Sequence, residues 1–294
     1  MHAYDLVVLD LDGTVMNPYR REAVSAVVLE AIAAAEAVGV KVTVGTGRTL
    51  DYIRHQMPTA LHLPHPVITT QGAVIGDAVT GHVLAEQDLL ATDAYALAHW
   101  VDDNHYLAAF YVLDDDGHTH VFRNQYGRER AEEELLEHLL GHPAENAPCF
   151  VDLLDRWAPH PPIKVIVWNH PDYAVDNVDV AQAMEDRFNA HLSITRTHEW
   201  LVEATAAGVD KGSGLRKLCA LLGVDIDRVI AVGDSDNDIP MLRAAGLGVA
   251  MGNANERVKA VADWIAPSLE EDGVAATIQR WVLAPRKQVG IERA

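Results

Sequence analysis

The chain of 294 residues is 49% hydrophobic and carries 23 Lys and Arg against 43 Asp and Glu, a formal net charge of −20. That length supports one large domain or two modest ones, each with its own core. A balance this acidic excludes a general nucleic-acid binder and a partner of anionic membrane surfaces, since both need basic patches against phosphate. A small phosphorylated substrate stays open, because a metal ion and a few local cations reverse the field inside one cleft. The two cysteines, Cys149 and Cys219, form no CxxC pattern. This rules out a disulfide framework or a cysteine-rich zinc site and suits a reducing compartment, with both thiols expected as small apolar core residues. The opening Met1-His2-Ala3-Tyr4-Asp5 lacks basic residues and no apolar stretch approaches the ~18–20 residues of a membrane helix, so a soluble, cytoplasmic protein with no membrane partner is expected.

Along the chain, Leu6-Val7-Val8-Leu9 is a short continuous apolar run, the pattern of a strand buried on both faces of a parallel sheet. Glu22 to Val38 has helical spacing with Gly39 as its stop, Val40 to Val44 is β-branched and runs into Gly45-Thr46-Gly47, Leu50 to Met57 reads as helix, and Pro66 to Thr70 as a third strand. This alternation is that of a doubly wound, Rossmann-like α/β sheet. The same rhythm returns late in the chain: helix from Lys211 to Leu222, strand Val229 to Val232, helix Ile239 to Ala245, strand Gly248 to Ala250, helix Glu256 to Ala262, strand Trp264 to Ala266 and helix Val274 to Val282, followed by a polar tail. Between them, strands are predicted at Leu107 to Leu113, His118 to Phe122, Cys149 to Leu154 and Ile163 to Trp168, with helices around Arg128 to Leu140 and Val175 to Phe188. The expected organisation is therefore an α/β core of residues 1–86 and 194–294 with an inserted α+β unit at 87–193. Asp114-Asp115-Asp116-Gly117 reads as a hairpin tip, lacking the spacing of a calcium loop.

Four segments carry chemistry. Asp10-Leu11-Asp12-Gly13-Thr14 follows the first strand, at the edge where open α/β sheets hold ligands. One carboxylate of such a pair can attack phosphorus while the other moves protons. Gly45-Thr46-Gly47-Arg48 offers a hydroxyl and backbone N–H groups as an anion cradle. Lys211 opens a helix where the sheet pattern resumes, and Gly233-Asp234-Ser235-Asp236-Asn237-Asp238 crowds carboxylates that a divalent cation would compensate; all-oxygen ligation suits Mg²⁺. Singly, each has an ordinary reading as a turn, a cap or a surface lysine. Together they supply nucleophile, acid/base, phosphate grip, cation and metal ligand, a full set for phosphoryl transfer.

In order and residue type, these segments resemble the four motifs of the haloacid dehalogenase-like phosphohydrolases, and the insert between the second and third is similar to the α+β cap of the Cof-type, class IIB branch. The run Met251-Gly252-Asn253-Ala254-Asn255-Glu256-Arg257 and the segment Glu271-Asp272-Gly273-Val274 match that branch too. The resemblance implies Asp10 as nucleophile, Asp12 as general acid/base, and Thr46 and Lys211 as holders of the transferring phosphoryl group. It implies Mg²⁺ on Asp10, Asp234 and the Asp12 carbonyl, with Asp238 orienting Lys211 or a metal-bound water. Asn237 would contact phosphate, Leu11 and Gly47 would lend backbone N–H groups, and Arg48 would meet substrate at the cleft edge. Gln71 stands where the branch usually has Asn, at the substrate mouth. The function so implied is a Mg²⁺-dependent phosphatase of a small phosphorylated metabolite. A phosphomutase and a non-catalytic binding module are the alternatives; intact Asp10, Asp12, Lys211 and Asp234 oppose the latter. Arg123, Lys164, Trp157 and His160 are cap candidates for the cleft, each with packing as its simpler role. The pairs His62/His65 and His118/His120 lack a third metal ligand.

Overall fold

In the computed structural model, residues 3–17, 24–57, 61–124, 143–168, 179–198 and 200–284 are described. Five strands, β1 (Leu6–Leu9), β2 (Lys41–Val44), β12 (Val229–Gly233), β13 (Leu247–Ala250) and β14 (Trp264–Ile265), form an all-parallel sheet in the order β14-β13-β12-β1-β2. Their side chains alternate between two apolar layers. Val7, Leu9, Val42, Val44, Ile230 and Val232 face one cluster, and Leu6, Val8, Val229 and Ala231 face the other. Burial on both faces is why these strands read as unbroken apolar runs rather than as alternating ones. The doubly wound, Rossmann-like reading holds.

The predicted third strand, β3 (Val67–Thr69), meets β2 through one parallel bridge, Gly45 to Ile68, and otherwise pairs with β4 (Val74–Gly76), which pairs with β5 (Val83–Glu86). Beyond it lies a six-stranded sheet, β10 (Leu192–His198), β11 (Leu201–Ala206), β9 (Pro162–Trp168), β6 (Ala108–Leu113), β7 (Thr119–Arg123) and β8 (Ala144–Asn146), antiparallel except for the β7–β8 pair. One face packs on the helices Ala91–Asp103, Phe150–Arg156 and Val180–Phe188, with Phe110 stacked on Phe150 at 4.1 Å. The other face, with Tyr111 and Ile163, packs on Ala73, Val74 and Val209 beside the core.

Two expectations need correction. The inserted sheet runs past 193, because β10 and β11 are its edge pair; the alternation of β10 gives no sign that the chain has not yet returned to the core. Cys149 to Leu154 is not a strand. Phe150–Arg156 is a helix, since Phe150, Leu153 and Leu154 fall at helical spacing on a buried face and the Asp102 carboxylate accepts the Phe150 and Val151 N–H groups at its start. The closing helix is Gly273–Ile278, continued by a wider turn over Gln279–Leu283. The helix expected around Arg128 to Leu140 and the polar tail after Ala284 lie outside the described residues. Asp114 closes the β6–β7 hairpin by accepting the Asp116 and His118 N–H groups. Cys149 and Cys219 are both free thiols.

The chain turns from β3 onto the core through Thr70 (φ 52°), Gln71 (φ 59°) and Gly72 (φ 94°), all left-handed. A Cβ on Gly72 would lie 2.2 Å from the Asp210 carbonyl oxygen, at the start of the helix Lys211–Leu222. Glycine is thus required twice over, for its φ and for the close approach. Gly72→Ala should destabilise the protein by about 2–3 kcal/mol, measured by urea unfolding; a loss within about 0.5 kcal/mol would contradict this packing.

Candidate active site

β12, β1 and β2 are adjacent, so the loops at their carboxyl ends converge. β1 delivers Asp10 and Asp12, β2 delivers Thr46, Gly47 and Arg48, and β12 delivers Asp234. Lys211 enters from the side at the first turn of its helix, which is fixed by a reciprocal cap: the Asp210 carboxylate accepts the Ser213 N–H at 2.6 Å and Ser213 Oγ accepts the Asp210 N–H at 3.0 Å. The Lys211 side chain is 1% exposed, and its Nζ donates to Asp10 Oδ1 and to Asp238 Oδ1, each at 2.6 Å. The other oxygen of Asp238 accepts the Asp234 and Ser235 N–H groups, both at 3.0 Å. Asp238 thus has three of its roughly four acceptor positions taken. Asp234 keeps more of its capacity, receiving only the Thr14 and Ser235 hydroxyls, each at 3.2 Å. Gly13, at φ 88°, passes so close that a Cβ would sit 2.4 Å from Asp234 Oδ2.

Asp12 points elsewhere. Its oxygens receive Arg48 Nε at 2.8 Å and Nη2 at 3.0 Å, a two-pronged contact, and the Arg48 guanidinium also lies 4.6 Å from the centre of the Tyr52 ring. Thr46 Oγ1 accepts the Arg48 N–H at 3.1 Å, and a hydroxyl that accepts in this way keeps its proton to donate. Asn237 Nδ2 donates to Gln71 Oε1 at 3.1 Å, while its Oδ1 is buried without a partner.

Burial and crowding set the electrostatics. Asp10 is held well above the usual carboxyl range, first by burial and then by the Asp238 charge, against the pull of Lys211. Asp234 is pushed up to about 7, again by burial and then by Asp238. Burial alone would lower the Lys211 pKa, but the two carboxylates beside it reverse the sign and raise it. The site is a compressed cluster of acids with Lys211 fixed between Asp10 and Asp238.

A model of the haloacid dehalogenase-like hydrolases matches residues 7–278. The chain belongs to that family. This hydrolase is 32% identical over 278 residues to the 5-amino-6-(5-phospho-D-ribitylamino)uracil phosphatase YcsE of Bacillus subtilis, covering 95% of this chain and 96% of the other. It is 29% identical to the pyridoxal phosphate phosphatase YbhA of Escherichia coli, covering 93% and 97%. The solved structure of a haloacid dehalogenase-like hydrolase from B. subtilis superposes with a TM-score of 0.79 at 26% identity, over 94% of this chain and 99% of that one. The Cof-type phosphatases are its branch.

The residues present suit the Mg²⁺ that the family implies. Single carboxylate oxygens of Asp10, Asp234 and Asp238 lie within 4.8 Å of one another, an all-oxygen set for a hard cation. Because Asp238 already takes Lys211 and two backbone N–H groups, Asp10 and Asp234 are the carboxylates with more room to ligate.

The geometry thus brings together Asp10, Lys211, Asp234 and Asp238, with Thr46, Gly47 and Asn237 around them. Leu11 keeps its side chain in the core, fully buried. Arg48, expected at the cleft edge against substrate, holds Asp12. Among the cap candidates, Lys164 reaches the core, donating to the Gly47 carbonyl at 2.9 Å. Trp157 and His160 pack with His120 and Phe122 in an aromatic cluster, and Arg123 is a buried residue of β7. Glu203, which pairs with Lys164 at 3.4 Å and accepts Gln71 Nε2 at 3.0 Å, was missed. Its one signal is that it is the only charge in the apolar run Leu201–Ala206.

In the unfolded chain the Asp234 carboxyl titrates near 3.8, and in the fold near 7. Between those values the folded chain holds the extra proton, so metal-free stability falls as pH rises through that window. Mg²⁺ held by the ionised carboxylates would oppose the fall. The melting temperature in EDTA should drop between about pH 4 and pH 7, the rise on adding Mg²⁺ should grow over the same interval, and Asp234→Asn should weaken both trends, leaving the share that Asp10 contributes. A Mg²⁺ effect of equal size at both ends would contradict this account.

Proposed function

We propose that this hydrolase is a Mg²⁺-dependent phosphatase of a small phosphorylated metabolite, such as a sugar phosphate or a phosphorylated cofactor, and that it works through an aspartyl-phosphate intermediate. The observation that carries the reading is the single buried cluster in which Lys211 bridges Asp10 and Asp238 while Asp12, two residues on, is held apart by Arg48. Two carboxylates so close in sequence are thereby given different neighbours and different tasks.

Lys211 holds one oxygen of Asp10, which leaves the other to attack phosphorus. As that oxygen–phosphorus bond forms, the bond from phosphorus to the leaving oxygen breaks, and Asp12 gives the departing alcohol its proton. Arg48 fixes the plane of the Asp12 carboxylate, yet each oxygen retains a second lone pair on which a proton can ride. In the second half, Asp12 takes a proton from water, the water oxygen attacks the same phosphorus, and phosphate leaves Asp10 as a free carboxylate. The Thr46 hydroxyl and Lys211 ammonium face the phosphoryl oxygens throughout. Mg²⁺, held by Asp10, Asp234 and the Asp12 carbonyl, would supply positive charge against those oxygens.

The inserted unit, taken as residues 87–206, acts in this reading as a cap that admits small substrates and shuts out proteins and nucleic acids. The similarity to phosphatases of a ribitylaminouracil phosphate and of pyridoxal phosphate supports a substrate of that size.

A panel of phosphorylated metabolites should show steady phosphate release that needs Mg²⁺ and no activating bisphosphate. Asp10→Asn should lower turnover by on the order of a thousandfold or more with the fold intact. Asp12→Ala should slow both the burst of alcohol release and the steady state, by about a hundredfold or more. An Asp10→Asn protein that keeps a tenth of its activity would remove Asp10 from the nucleophile's place.

A further inference from the structure

Lys164 belongs to β9 of the inserted sheet, yet its ammonium leaves that sheet. Only 3% exposed, it donates to the carbonyl oxygen of Gly47, in the loop after β2. Removing an ammonium from water is costly unless its surroundings compensate. Here Glu203, on the neighbouring strand β11, lies 3.4 Å away, and the ring of Tyr111, the cross-strand partner of Lys164 on β6, is 4.5 Å from Nζ. Glu203 is itself tied to the core, accepting from Gln71 Nε2 at 3.0 Å as well as from Thr197 Oγ1 at 3.1 Å, and Gln71 accepts from Asn237. A continuous polar chain thus runs from the inserted sheet into two of the loops that form the site.

The carbonyl of Gly47 and the N–H of Arg48 belong to one planar peptide unit, so fixing the direction of the first fixes that of the second. That N–H is the donor to Thr46 Oγ1. Residue 47 is glycine, and a Cβ there would lie 2.5 Å from Gln71 Nε2, so a larger residue would displace the Gln71 amide from its contacts. Glycine leaves the peptide freer to turn over, so its orientation depends on the bonds at its two ends, the N–H on Thr46 Oγ1 inside the loop and the carbonyl on Lys164 from outside it. Lys164 is placed to impose it.

We propose that Lys164, neutralised by Glu203, is a positioning residue: seated on the core, it locks the Gly47–Arg48 peptide and with it the Thr46 hydroxyl, so that the phosphate grip is completed by the inserted sheet. This rests on the phosphatase reading above. The consequence is that chemistry requires the inserted sheet to be docked, even for a substrate whose leaving group makes no contact with that sheet.

The test compares wild type, Lys164→Met and the double variant Lys164→Met/Glu203→Gln, all with Mg²⁺. Turnover is measured with p-nitrophenyl phosphate and inhibition with orthovanadate and with inorganic phosphate. Vanadate mimics the five-coordinate phosphorus of the transition state and should report the set of the grip more sharply than phosphate does. Lys164→Met should lower kcat about tenfold or more and weaken vanadate by a similar factor, while phosphate weakens less than about threefold. The double variant, which leaves no unpaired carboxylate, should recover the melting temperature and keep the loss in kcat. Unchanged kcat, or equal weakening of both anions, would overturn the positioning role and leave the phosphatase reading standing. Wild-type protein that neither releases phosphate nor binds either anion would overturn both.

Discussion

The Lys211 ammonium, 2.6 Å from Asp10 and 2.6 Å from Asp238, is the contact on which the rest of the site is arranged. Four carboxylates, Asp10, Asp12, Asp234 and Asp238, stand on two adjacent strand ends, and burial makes their mutual repulsion expensive. Lys211 answers part of that charge, and it does so only because its helix starts at one defined residue, held by the Asp210–Ser213 cap and pressed against Gly72. Shifting that helix by one residue would swing the lysine away and leave buried acids without a partner, a far larger penalty than the loss of a surface ion pair. Arg48 performs a parallel task for Asp12. The two nearby carboxylates are thereby separated electrostatically, one on a lysine shared with Asp238 and one on an arginine.

Much of this was legible in the sequence because the chemistry falls where the local pattern changes. Each of Asp10, Thr46 and Asp234 follows a run of buried β-branched or aliphatic residues, and in a parallel sheet the end of such a run is the end where ligands sit. Lys211 opens a helix whose stop, Gly223, is equally clear at φ 64°. Signals of this sort are local, and local signals survive in a single chain.

What stayed illegible is non-local. Nothing in the order of residues tells Arg48 to turn to Asp12 rather than to a substrate; that follows from β1 lying beside β2. Glu203 was hidden because its partners, Lys164, Thr197 and Gln71, come from three separate stretches of chain. The edge strands β10 and β11 read as a return to the core since pairing partners, not composition, decide which sheet a strand joins. Cys149 to Leu154 has strand-like composition, and its helix is set by a carboxylate from Asp102. Gln71, where the branch usually has Asn, adopts a left-handed conformation that Asn tolerates more readily. The terminal amide of Gln71 joins Asn237 to Glu203, so a departure visible in the sequence gains its meaning only from its two contacts.

The charge of the whole molecule sharpens the role of the inserted sheet. With a net charge of −20, the protein's distant field repels a phosphorylated metabolite, and that repulsion fades beyond a Debye length of about 8 Å at physiological ionic strength. Recognition therefore depends on cations met at short range. Among the described residues, Lys211 and Arg48 come from the core and Lys164 from the inserted sheet, and each is held by a carboxylate. None of the three presents a bare charge to the approaching anion. In the proposed reaction Lys211 would act on the phosphoryl group from within its pair with Asp10, Arg48 through Asp12, and Lys164 through a peptide bond. An acidic protein can build an anion site in this way because the positive charges are anchored first and the substrate joins networks that already have their geometry.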